Sequence, residues 1–173
     1  MNKLSLFLSG LLMIYPMVSF SEEVTININA SVIERSCTIS NESLNATVNL
    51  QAGDLRGSKI GVPFAGTPFS ISLVDCPNNI SIAHITFTGE SDKTMGHLLK
   101  NINEADAAAK GIALGLYDSD NNNINIKSNK KSLVIDHALS KNTFNFFAYY
   151  VKVNDASSAG KIISVADFEL AYD

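Results

Sequence analysis

The sequence predicts an all-β sandwich of immunoglobulin-like type. Three observations carry that expectation. Apolar and polar residues alternate at period 2 along much of the chain, clusters of Gly, Asn, Asp and Pro separate the alternating runs, and two cysteines are placed to bridge them. The 173 residues suit one domain, two at most, and a 46% hydrophobic content excludes a disordered chain. Serine and asparagine together outnumber all Asp, Glu, Lys and Arg, so the polar surface is mostly uncharged, which suits short strands and turns. A net charge of −4 offers no general attraction for phosphate backbones, and no nucleic-acid partner is expected.

The first element is a leader. Lys3 precedes an apolar run over residues 4–18, and Ser19-Phe20-Ser21 places small residues at the −3 and −1 positions of a cleavage site. Residues 1–21 therefore read as a secretory signal peptide. A membrane anchor is the weaker reading, because a span needs about 20 apolar residues and Gly10 and Pro16 interrupt this run. No later run approaches that length, so no membrane span is expected after cleavage.

The second element is unusually long. Val24, Ile26, Ile28, Ala30 and Val32 alternate with Thr25, Asn27, Asn29 and Ser31, and no Gly, Pro or turn dipeptide occurs until after Ile39. Fully extended, that stretch spans on the order of 50 Å, whereas a typical strand has about 5–6 residues. It either crosses between two sheets at a bend, or residues 22–33 project from the domain and pair with another molecule.

Export places Cys37 and Cys76 in an oxidising compartment, where a disulfide is expected rather than two buried thiols. Closing a loop of about 40 residues contributes roughly 4 kcal/mol on the chain-entropy model. No metal or other cofactor is expected: there is no CxxC, and His84, His97 and His137 are scattered.

Further strands are expected over residues 46–50, 69–75, 80–88, 112–117, 133–136, 143–153 and 162–172. Between them lie turn signals at Ala52-Gly53-Asp54, Pro77-Asn78-Asn79, Gly89-Glu90, residues 118–123 and residues 154–160. The helix-like stretch is 104–110, too short for a core helix. In the last strand Ala166, Phe168, Leu170 and Tyr172 share one face, and Asp173 comes directly after. Nothing after them in this sequence would cover that row. Soluble proteins protect such edges, and a strand from a second chain is one remedy.

No enzyme is expected. Asp136-His137 is an adjacent pair without a fixed geometry, and there is no GxSxG, HExxH or phosphate-cradling glycine loop. The one basic cluster, Lys127-Ser128-Asn129-Lys130-Lys131, comes after an Asn-rich turn and reads as a solvated loop.

Together these residues resemble a known family. Val24-Thr25-Ile26-Asn27-Ile28-Asn29 precedes the first cysteine, and Cys37-Thr38-Ile39 leads to Asn45-Ala46-Thr47-Val48-Asn49-Leu50. Pro68-Phe69-Ser70-Ile71 runs into Asp75-Cys76, and Ile85-Thr86-Phe87-Thr88-Gly89 is followed by Asp92. Gly111-Ile112-Ala113-Leu114, the aromatic run 144–150, and Gly160 before Phe168-Glu169-Leu170-Ala171-Tyr172 complete the set. In this order and with this cysteine spacing, the chain resembles subunits of chaperone–usher pili, specifically type 1 fimbrial pilins, over essentially its whole length after the leader.

The resemblance implies an incomplete immunoglobulin-like β-sandwich with an N-terminal donor-strand extension: residues 22–33 as the extension and 34–173 as the pilin domain. It implies no enzymatic activity but a structural role, in which the subunit polymerises by donor-strand exchange and contributes to cell adhesion. The implied partners are other fimbrial subunits, a periplasmic chaperone and an outer-membrane usher, on a route through the periplasm to a fimbrium at the cell surface. Val24, Ile26, Ile28, Ala30 and Val32 match the donor positions; Ala166, Phe168, Leu170 and Tyr172 match the strand lining the chaperone and acceptor groove. One departure stands out: the family usually has Gly where this sequence has Ala30, and the added methyl group bears on which neighbour accepts the strand. A minor or adaptor subunit fits better than a major rod protein. A tip adhesin fits poorly, since it would carry a receptor domain ahead of the pilin domain. The alternatives are a self-contained secreted immunoglobulin-like binding module, and a pilin whose own surface binds a host receptor.

Overall fold

A computed structural model describes residues 36–44 and 46–173. The leader 1–21 and the long alternating segment 22–33 lie outside the described residues, as do the donor positions Val24, Ile26, Ile28, Ala30 and Val32. Nearly all regular structure is β. In chain order the elements are β1 (Thr38–Ile39), α1 (Asn41–Leu44), β2 (Pro63–Val74), β3 (Ile82–Gly89), β4 (Ile112–Asp118), β5 (Asn123–Ile124), β6 (Lys131–Val134), β7 (Lys141–Lys152) and β8 (Ala166–Tyr172). They form two antiparallel sheets: a five-stranded sheet in the order β1-β2-β7-β4-β5, and a three-stranded sheet in the order β6-β3-β8.

The spine of the large sheet is the long β2/β7 pair, which runs in register from Thr67↔Ala148 to Val74↔Lys141. Period-2 patterning sends Phe69, Ile71 and Leu73 of β2 and Phe144, Phe146 and Ala148 of β7 into the sandwich. From the small sheet, β3 contributes Ala83, Ile85 and Phe87, each no more than 2% exposed. Phe87 meets Phe146 edge-on with ring centroids 5.0 Å apart, and Phe146 lies 5.4 Å from Phe69, so aromatic contacts tie the two layers at their centre.

β4 is buried on both faces. Leu114 and Leu116 join the sandwich core, while Ala113 belongs to a second cluster with Leu98, Val151 and Val153, roofed by Met95. That roof belongs to the connection between β3 and β4.

Several expected elements take another form. Residues 46–50 form no strand. β2 starts at Pro63 rather than near Phe69, with a register shift between Phe64 and Thr67 where Ala65 adopts φ 50°. Such a bulge sets one more residue against the partner strand and re-aims the side chains beyond it. Pro68 is tolerated because β1 pairs with β2 only at Leu73 and Val74. Residues 162–165 are not part of β8.

The alanine-rich stretch 104–110 is not helical. It pairs with the connection ahead of β8: Ala109 N donates to Lys161 O at 3.0 Å, Lys161 N to Ala107 O at 2.8 Å, and Lys110 and Ser158 exchange backbone bonds. Gly160 permits this approach, because a Cβ there would strike the backbone of Ala107 to Ala109. Tertiary pairing overrides the local helix propensity. The short helix α1, the one helix among the described residues, packs on β2, with Ser43 Oγ accepting from Ser72 N at 2.9 Å.

The two sheets are also joined electrostatically. Lys131 Nζ of β6 donates to Asp118 Oδ2 of β4 at 2.6 Å, with 31% and 13% of the respective side chains exposed. Burial alone would push Asp118 up, but the Lys131 hydrogen bond, together with bonds from Asn122, holds its carboxyl below the usual range. A lowered carboxylate pKa contributes stability that is complete above the ordinary carboxylate range and lost as pH falls through the lowered value. Asp118→Asn is therefore expected to cost about 1–2 kcal/mol at pH 7 in urea denaturation. The deficit relative to the parent should shrink as pH falls below about 4; a deficit constant from pH 7 to pH 2 would contradict the pairing.

Candidate functional site

The distinctive feature lies along β8. This strand pairs with β3 from Gly89↔Ala166 to Ala83↔Tyr172, and among the described residues no strand lies on its other flank. Its residues alternate strictly between half-buried and exposed. Ala166, Phe168, Leu170 and Tyr172 face the core; Asp167, Glu169 and Ala171 face out. The inward row is only half-buried, whereas the inward row of neighbouring β3 is closed to solvent. Leu133 of β6, the other edge strand of this sheet, is likewise only partly buried.

Phe168 reaches the aromatic centre of the core, with its ring 6.3 Å from Phe87. Ile39 of β1, Phe69 of β2 and Leu133 of β6 are likewise partly buried against the same core. β1, like β8, is the outermost strand of its sheet. The Tyr172 hydroxyl spans from one edge strand toward the other, donating to Cys37 O at 3.4 Å, and burial pushes this hydroxyl's pKa up.

Cys37 and Cys76 form a disulfide, with Cα atoms 4.1 Å apart. It joins the residue before β1 to the residues just after β2, so the short edge strand is held covalently beside its long neighbour. Two backbone pairs alone, Thr38↔Val74 and Ile39↔Leu73, would make a weak strand.

The far end of β8 is clipped through side chains that sequence reading did not connect. His84 on β3 is 8% exposed. Its Nε2 lies 2.7 Å from Asp173 Oδ2, just beyond β8, and its Nδ1 lies 2.8 Å from Ser132 Oγ on β6. One imidazole thus links all three strands of the small sheet. The hydrogen bond from His84 holds the Asp173 carboxyl below its usual range. Backbone bonds from Ser81 N to Asp173 O at 2.8 Å and from Asp173 N to Ile82 O at 3.0 Å complete the clip.

The adjacent pair Asp136-His137 is occupied with backbone. Asp136 Oδ1 accepts from Ala138 N at 2.9 Å, and the His137 ring meets Ile80 O at 3.0 Å. The site along β8 therefore offers a row of apolar side chains and a flank that bears no strand among the described residues. Such a surface recognises an extended chain.

A family model described as Fimbrial protein matches residues 25–173. The chain belongs to that family. This fimbrial protein is a structural subunit by kinship, and its relatives span most of its length. Protein FimG of Escherichia coli K12 is 31% identical over 153 residues, 87% of this chain and 85% of that protein. The probable major fimbrial subunit LpfA of Escherichia coli O157:H7 is 28% identical over 157 residues, 88% and 85% of the two chains. Among solved structures, a subunit in a chaperone–usher pilus structure covers 92% of this fimbrial protein and 100% of its own chain. It does so at a TM-score of 0.63 and 18% identity, a likeness of fold.

Replacing both Cys37 and Cys76 by Ala should lower the unfolding free energy of the fimbrial protein by about 2–4 kcal/mol, read from the urea midpoint under non-reducing conditions. An unchanged midpoint would show that the disulfide does not hold β1 in place.

Proposed function

We propose that this fimbrial subunit is completed by a β-strand from a second chain laid against β8, and that it donates its own residues 22–33 to the next subunit in the same way. The observation that carries the proposal is the contrast between the half-buried inward row of β8 and the closed inward row of β3. An added strand supplies the missing sheet partner and covers Ala166, Phe168, Leu170 and Tyr172.

The donor side rests on patterning. Val24, Ile26, Ile28 and Val32 fall on one face of an extended segment, with Ala30 between the last two. Burying four such side chains at about 1.5–3 kcal/mol each yields roughly 6–12 kcal/mol before ordering costs. Each new backbone hydrogen bond adds about 0.5–1.5 kcal/mol net. Terms of that size make a non-covalent joint that seldom opens.

A periplasmic chaperone fills the groove first in this proposal, and an outer-membrane usher exchanges it for the incoming segment. The product is a fibre on the cell surface that supports adhesion. An exposed apolar edge is an aggregation hazard until it is covered, which gives the chaperone a physical reason to exist.

Deletion of residues 22–33 tests the donor half: the variant should still be captured by a chaperone in pull-down but should not extend a fibre seen by electron microscopy. Continued extension would overturn the donor assignment. Phe168→Glu tests the acceptor half, because a carboxylate in the apolar row should abolish chaperone capture; undiminished capture would refute the groove.

A further inference from the structure

The outward row of β8 carries a charge pattern that the inward row does not explain. Asp167 and Glu169 are both exposed, two positions apart on one face of the strand. Across the strand pair they meet Thr88 and Thr86 of β3, neither of which brings a cation. Neither carboxylate forms an ion pair among the described residues. Asp173, the next acidic residue along that row, differs: His84 lies 2.7 Å from it and Lys130 adds a favourable charge. The uncompensated pair thus sits on the half of β8 away from the His84 clip, beside the flank that bears no strand among the described residues.

A strand added to that flank turns alternate side chains outward, next to Asp167 and Glu169, at cross-strand distances where opposite charges attract and like charges repel. We infer that these two carboxylates select the donor, and that the preferred occupant is a strand of a different subunit carrying Lys or Arg at its solvent-facing positions. The inference rests on the strand-acceptor reading above and specifies its partner. On the same period-2 spacing, the residues of the chain's own segment that alternate with its apolar row are Thr25, Asn27, Asn29 and Ser31, all uncharged, with the acidic Glu23 at the start of the row. With no Lys or Arg in residues 22–33, it brings no attraction to the acidic pair. Copies of this chain join one another less readily than they join a neighbour with a basic outer row. The inward contacts supply affinity, while the outer row supplies partner choice.

The experiment refolds the full chain after the leader, from denaturant, with excess synthetic peptide. Three peptides spanning residues 22–33 are compared: the native sequence, one with N27K and N29K, and one with N27E and N29E. Peptide incorporation is read by native mass spectrometry and competition. The expected order is lysine, native, glutamate, with about two- to fivefold between successive peptides per charge changed. The spread should collapse in 0.5 M salt, about the regime where exposed charges are screened. In a D167K/E169K acceptor the order should invert, a result that altered folding alone does not produce. Equal incorporation of all three peptides, or an order untouched by the double reversal, overturns the charge selection while leaving strand acceptance standing. Incorporation of none overturns both.

Discussion

A β-strand with a partner on only one side is the constraint on which the molecule depends. The backbone of β8 satisfies its hydrogen bonds toward β3, and its other flank has no strand among the described residues. Its inward side chains are half in and half out of the core. An unpaired strand edge recruits another strand, and a half-covered apolar row adds a hydrophobic drive to the same event. The two forces act along one line, so satisfying one satisfies the other.

The rest of the fold holds that line ready. The disulfide from Cys37 to Cys76 keeps a two-residue edge strand in position. Tyr172 reaches from β8 to the carbonyl of Cys37. His84 ties β3, β6 and the residue after β8 together, while Lys131 and Asp118 link the small sheet to the large one. The aromatic contacts among Phe69, Phe87 and Phe146 fill the centre beneath Phe168. These interactions hold the edge strand in one register, with no described strand on its flank, which preorganises the surface for an incoming chain.

Much of this was legible in the sequence because it is written at period 2. Residues 80–88, 112–117 and 143–153 became β3, β4 and β7 with small shifts at their ends, and the row Ala166, Phe168, Leu170 and Tyr172 lies on one face of β8 as its spacing requires. What the sequence hid is decided by partners far along the chain. Residues 46–50 alternate well but find no strand to pair with, and 104–110 favours a helix locally but pairs instead with 158–161. The start of β2 was masked by Pro63, Gly66 and Pro68, residues that normally end strands and here sit at a bulge and an open flank. Ile39, Phe69 and Leu133 could not be assigned to the same core surface as β8, since they come from three other strands. The His84 clip was equally invisible, because it joins residues 48 and 89 positions apart. The segment 22–33 lies outside the described residues, and its role as donor rests on patterning and kinship.

The most direct measurement is amide hydrogen exchange along β8, recorded for the subunit lacking residues 22–33 with and without an added donor peptide. The account predicts alternation without peptide: amides of Ala166 to Tyr172 that bond to β3 are slow and the intervening ones fast, and the fast set becomes protected when the peptide binds. Uniform protection along β8 before any strand is added would mean the edge is already closed, and would contradict the central claim.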